Sequence, residues 1–89
     1  MDFEWDDAKA RDNEKKHDIS SLEAAEVFGD EYSSCVHDPE HSSKEERFLL
    51  FGVSSKGNYI VVSFTERSSK IRIISARRMI RQERKAYEQ

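Results

Sequence analysis

The chain is poor in the residues that usually punctuate or staple a small protein: one cysteine, one proline and three glycines stand among 89 residues. Each shortage excludes something. The single thiol, Cys35, rules out an internal disulfide, so stability has to come from packing. Three glycines are too few and too scattered to build a loop that cradles a nucleotide phosphate. Long apolar runs are missing as well. The longest, Phe48 to Phe51 and Tyr59 to Val62, fall far short of the roughly 20 residues a membrane helix needs. The first residues are acidic and no apolar stretch follows them, so no secretory leader is expected and the chain is expected to be cytoplasmic.

What remains is 36% hydrophobic and 37% charged, with nine aromatics, enough to close one thin core. A single domain over residues 1–89 is expected, burying about 60–65% of the surface its unfolded chain exposes. The charge is more informative in its distribution than in its sum of −3. Residues 1–65 carry 7 Lys/Arg against 15 Asp/Glu, whereas residues 66–89 carry 8 against 3. Two readings stay open: the acidic front and the basic tail attract each other within the fold, or the tail keeps a cationic surface for an anionic partner.

Periodicity predicts an α+β chain. Phe3-Glu4-Trp5 alternates like a short first strand. From Asp6, "DDAKARDNEKKH" places acids early and Lys15, Lys16 and His17 late, the order that suits a helix dipole. A second helix starts at "SSLEAAEVF", with Ser20 as cap and Glu23 completing a capping box, and with Leu22, Ala25 and Phe28 on the sheet-facing side. Four strands follow, at Glu31 to Val36, Arg47 to Val53, Tyr59 to Arg67 and Lys70 to Ser75, joined by turns short enough to make the last three antiparallel neighbours. "HDPEHSSKEE" reads as a polar loop. After Ser75, as N-cap, a basic helix runs towards Gln89, with Met79, Ile80, Ala86 and Tyr87 on one side and Arg77, Arg81 and Arg84 on another. The expectation is two N-terminal helices packed on an antiparallel sheet of about four strands, closed by a basic C-terminal helix.

Five segments in this order, "FEWDDAKARDNEKKHDIS", "EAAEVFGD", an "H…EER" loop, "VVSFTER" and "IRIISARRM…ER..Y", resemble the BrnT family of type II toxins over nearly the whole chain. One departure stands at Asp18, where the family usually has Gly; Asp tolerates the left-handed backbone region better than most residues. The resemblance implies a RelE-like fold and an endoribonuclease that arrests translation. It also implies a BrnA-like ribbon-helix-helix antitoxin as partner, contact with promoter DNA through that antitoxin, and a 2:2 complex. The alternative kept open is a non-catalytic module of the same fold acting as corepressor with a DNA-binding partner.

Independently of any family, RNA cleavage without a metal needs a base for the 2′-hydroxyl proton, cations to neutralise the phosphorane and an acid for the leaving oxygen. Arginine suits the second task, because its planar fork gives a phosphate two parallel hydrogen bonds. Strand alternation throws Arg72 to the face opposite Ile71 and Ile73. Arg67 before it and Arg77 and Arg81 after it are expected to join Arg72 as the RNA-phosphate group. The competing expectation is that these arginines form salt bridges, with Glu66, Glu83 or the acidic front half. The catalytic set drawn from these residues is Lys16, His17, Glu66, Arg67 and Arg72, with His17 titrating in a range suited to acid or base work and Lys16 beside it. Tyr87 is expected in the core or an interface, and Phe3 and Trp5 either pack or stack on bases. No cofactor and no metal is expected, since Pro39 keeps His37 and His41 from sharing a helix face and Cys35 has no partner signature.

Overall fold

The computed structural model describes residues 1–88 and shows three α-helices and one five-stranded mixed sheet. In chain order the elements are β1 (Asp2–Glu4), α1 (Asp7–His17), α2 (Ser21–Glu26), β2 (Ser34–His37), β3 (Phe48–Val53), β4 (Tyr59–Arg67), β5 (Lys70–Arg78) and α3 (Arg81–Tyr87). The sheet order is β1-β5-β4-β3-β2, antiparallel except at one edge, where β1 runs parallel to β5. The expected all-antiparallel sheet of four strands is thus corrected to five strands with one parallel pair. Only a chain that crosses the length of the domain can place its first strand beside its last, and no local pattern encodes that pairing. No helix among the described residues is long and apolar enough to cross a membrane.

β4 is the centre of the core because it is paired on both sides and carries a continuous apolar face. Ile60, Val62 and Phe64 point to the α1 and α2 side and pack with Ile19, Ala24, Val27, Leu50, Ile73 and Ala76. Phe28 links this cluster to Phe3 and Phe64 through rings 5.1 and 5.0 Å apart, so Phe3 serves packing. The β4–β5 turn is a two-residue loop, Ser68 and Ser69, both at positive φ (47° and 72°), the backbone that matches the twist of a tight hairpin.

α1 and α2 begin where the sequence says they should, but the face that α2 buries differs in part from expectation. α1 is capped by Asp6, whose side chain accepts from the Lys9 amide at 3.0 Å, and ends at Asp18 in the left-handed region (φ 56°, ψ 37°). Ser20 caps α2 through the Glu23 amide at 3.1 Å. Glu23 does not return the bond. Its buried carboxylate instead accepts from Ser54 Oγ at 2.7 Å and Asn58 Nδ2 at 2.6 Å, tying α2 to the β3–β4 turn. Burial alone would raise its pKa, but these two hydrogen bonds outweigh that and leave it below the usual value. Leu22, expected against the sheet, is 72% exposed; Ala24 and Val27 take the buried side.

The largest difference lies after Ser75. β5 continues to Arg78, pairing Ala76, Arg77 and Arg78 with Val62, Val61 and Ile60, and α3 starts only at Arg81. Met79 and Ile80 therefore precede the helix instead of lining it. The strand can continue because Ile74 is an unpaired extra residue, a bulge between the Phe64–Ile73 and Ser63–Ser75 pairs. The bulge shifts the alternation by one, so that Ala76 is buried beside Val62 and Arg77 lies on the outer face with Arg72. Gln89, to which the last helix was expected to run, lies outside the described residues.

Candidate functional site

The bulge leaves the outer edge of β5 with donors that β1 is too short to meet. Asn13 of α1 fills the gap: its Oδ1 accepts from the Ala76 amide at 3.1 Å, while its Nδ2 donates to the Ile19 carbonyl at 3.3 Å. This clamp holds α1 along β5 and forms one wall of a polar cleft of about 110 Å³. Trp5, Asp6 and Lys9 line it from the N-terminal segment, Arg67, Arg72, Ile74 and Ser75 from the β4–β5 hairpin, and Glu45 and Arg47 from the loop before β3.

The hairpin register explains why two of the predicted arginines meet here. Arg72 sits opposite Thr65, and Arg67 lies two residues beyond Thr65 on the same strand face, so the two guanidinium groups are diagonal neighbours. Thr65 is buried, and its hydroxyl donates to the Glu46 carbonyl at 2.6 Å. That bond draws the 42–47 loop across the hairpin and brings Glu45 onto Arg67.

Each arginine here is already paired. Arg67 donates from Nε and Nη2 to Glu45 at 3.2, 3.1 and 3.4 Å, and Arg47 reaches the same carboxylate at 3.5 Å. The Arg67 hydrogen bonds hold the Glu45 pKa below its usual value. Arg72 pairs with Glu4, its register partner on β1, at 3.5 Å. Asp6 is lowered chiefly by the Lys9 amide that it caps. Four cations, Lys9, Arg47, Arg67 and Arg72, and two carboxylates, Asp6 and Glu45, line the cleft, with Glu4 paired to Arg72 beside it.

The remaining predicted residues lie elsewhere. Arg77 donates to Glu83 at 2.8 and 2.9 Å, and Glu83 also accepts from the Ile80 amide at 2.9 Å, so this pair caps α3. The Arg77 bonds lower the Glu83 pKa. Arg81 is exposed on α3, and Lys16 and His17 are exposed on the last turn of α1. Glu66 faces Ile71 across the hairpin, on the opposite strand face from Arg67. Tyr87 is half-buried, and its hydroxyl donates to Asp30, which also accepts from the Val53 and Tyr32 amides. Burial first, and then Asp30, push the Tyr87 pKa up to about 12. His37 and His41 are apart in role, the first pairing with Glu46 and the second with Asp38, although Asp38, Glu40 and His41 bring potential ligand atoms within 4.8 Å of one another on the surface.

Lys9, Asn13 and Glu45 were missed by sequence reasoning; Arg47, which follows "KEE" and was expected either to join the basic surface or to neutralise its neighbours, does both, lining the cleft and reaching Glu45. Asn13 had one visible signal, a poor helix former in the middle of a strong helix. The fold and cleft together define a small α+β protein with a cationic edge site suited to an anionic ligand. Residues 5–83 match a family model described as the ribonuclease toxin BrnT of type II toxin-antitoxin systems, and the chain belongs to that family. Membership implies an RNA substrate and an antitoxin partner. A comparison with curated proteins gave no match. The matched span includes every cleft residue named above and leaves out Glu4 and Tyr87.

Proposed function

We propose that this chain is a single-domain, RelE-like endoribonuclease that cleaves RNA without a metal ion and inhibits translation. The observation that carries the reading is the convergence of Arg67 and Arg72 on one cleft with Lys9, Arg47 and Trp5. The scissile phosphodiester sits against the two hairpin arginines. The 2′-oxygen attacks phosphorus, its proton passes to a base, the P–O5′ bond breaks, and an acid protonates the departing 5′-oxygen, giving a 2′,3′-cyclic phosphate. Arg67 and Arg72 neutralise the charge that gathers on the non-bridging oxygens, which is where most of the acceleration arises. Trp5, half-exposed in the cleft wall, offers a ring on which a base stacks.

Lys16 lies seven residues after Lys9, two helical turns or about 10 Å along the same side of α1. An RNA strand leaving the cleft along this helix meets Lys16 and His17, which as proton-transfer candidates require the scissile bond to lie at this end of the strand, whereas Glu66 lies on the opposite strand face from Arg67. The antitoxin is proposed to be a BrnA-like ribbon-helix-helix protein, which joins two toxins in a 2:2 complex and brings them to promoter DNA. The corepressor reading draws on one observation, that Arg67, Arg72 and Arg77 are all ion-paired.

The test is cleavage of a defined RNA by the purified chain in excess chelator, with the ends analysed. Metal-free cleavage leaving a cyclic phosphate is expected, together with growth arrest on expression and rescue by the antitoxin. Loss of all cleavage in chelator would remove the metal-independent mechanism. Unimpaired growth at confirmed expression would favour the corepressor.

A further inference from the structure

We propose that Glu45 is a built-in competitor for the RNA phosphate, its carboxylate filling the seat on Arg67 and Arg47 until RNA displaces it. The proposal rests on the cleft being the RNA site. Glu45 meets Arg67 through the Nε and Nη2 edge, the fork that would otherwise receive two phosphate oxygens. The occupancy is incomplete on the Arg47 side, where Nη2 reaches Glu45 only at 3.5 Å and the buried Nε has no hydrogen-bond partner among the described residues. Arg47 thus keeps donor capacity that Glu45 does not use.

The carrier of Glu45 is built to yield. Residues 42–46 contain no helix or strand and no buried residue. The loop is held by the Thr65 hydroxyl on the Glu46 carbonyl, by Ser42 Oγ, which accepts from the Arg47 amide at 3.0 Å, and by the His37–Glu46 pair. Swinging the Glu45 side chain away breaks only its contacts with Arg67 and Arg47, and leaves the bond from the buried Thr65 hydroxyl to the Glu46 carbonyl and the core in place. When Glu45 leaves, one of the two carboxylates lining the cleft with the four cations goes with it, and the field at the phosphate strengthens. RNA binding is then an exchange of one anion for another, so the free protein holds RNA more weakly than its arginines alone would.

The test uses the full chain and a 2′-O-methyl RNA oligonucleotide that binds but is not cut, with affinity measured over a series of salt concentrations. Glu45→Gln keeps the shape of the side chain and removes its charge. The variant is expected to bind about tenfold more tightly, with the slope of log affinity against log salt steeper by about 0.7, the increment for one more single-strand phosphate contact. Ser42→Ala, which unties the loop while leaving Glu45 in place, is expected to tighten binding in the same direction by a smaller factor. If Glu45→Gln binds as the parent does, or more weakly, Glu45 orients Arg67 instead of competing and the proposal is overturned. The cleft reading is checked separately: if Arg67→Ala and Arg72→Ala bind the oligonucleotide as well as the parent, the cleft is not the RNA site and both readings fall together.

Discussion

Two arginine–glutamate pairs, Arg67–Glu45 at the β4–β5 turn and Arg77–Glu83 at the start of α3, look alike as contacts and differ in everything around them. Glu83 is tied into the fold: it accepts from both Arg77 terminal nitrogens and from the Ile80 amide, and so caps the helix that its own backbone begins. Glu45 comes from a loop without secondary structure, and its partner faces an open cleft beside further cations. The first pair is satisfied from all sides and acts as structure. The second can trade one anion for another. What separates an arginine at an open cleft from one committed to the fold is where its glutamate is anchored.

The sharpest way to break this comparison is to remove one arginine from each side. Arg72→Ala is expected to lower RNA cleavage about 100-fold or more, the scale on which lost transition-state donors are felt. Arg77→Ala is expected to act mainly on stability, costing about 1 kcal/mol and lowering Tm by roughly 5 °C in a domain of this size. Equal losses of cleavage from the two variants, at unchanged Tm, would erase the distinction.

Changes to the anchoring of α3 act on stability alone. Gly52→Ala would place a Cβ 2.7 Å from Val27 Cγ1 and 3.0 Å from Asp30 Oδ2, and is expected to cost about 1–3 kcal/mol in chemical denaturation. Tyr87→Phe deletes the hydroxyl that donates to Asp30 and is expected to cost about 1–2 kcal/mol, with the near-ultraviolet signal of the Tyr59–Tyr87 pair altered. A Tyr87→Phe protein as stable as the parent would show that α3 is not held by this bond.

The same groups give the stability a pH signature. Asp30, Glu83 and Glu23 have folded pKa values below their unfolded ones, so their contribution is complete above about pH 5 and is lost as the pH falls through the lower folded values. Tyr87 has a raised folded pKa. Its contribution is complete below about pH 10 and is lost as the pH rises towards its folded value of about 12. In Tyr87→Phe the alkaline loss is expected to shrink while the loss below about pH 5 attributed to Glu83 persists. The smallest effect belongs to Arg84, which stacks 4.0 Å over the Tyr59 ring and reaches Glu88 only at 3.8 Å; Arg84→Ala is expected to cost about 0.5 kcal/mol.

Much of the hairpin that carries the site was legible. The ends of β4 at Tyr59 and Arg67, the start of β5 at Lys70 and the opposed faces of Arg72 and Ile73 follow from β-propensity and a period of two. The rest of β5 was not, because "SARR" carries a helix cap and helix formers while its strand conformation depends on pairing with Ile60, Val61 and Val62. A bulge has no signature in alternation until its partner strand is known. Glu45 stayed hidden, and the choice between the two readings of Arg47 stayed open, for a similar reason. Both residues belong to a polar loop whose path is fixed by a buried threonine about twenty positions further on.

By itself the sequence determined the cap of α2 at Ser20, a residue at position 18 that tolerates the left-handed turn, the central hairpin and the gathering of positive charge behind it. These are local matters, settled by backbone preference, side-chain period and composition within a few residues. The tertiary structure alone decided which arginines share a cleft, which carboxylate each one meets and which strand lies beside β5. Those choices depend on residues far apart in the chain, such as Glu4 with Arg72 and Asn13 with Ala76, whose encounter costs chain entropy that only the assembled core can offset.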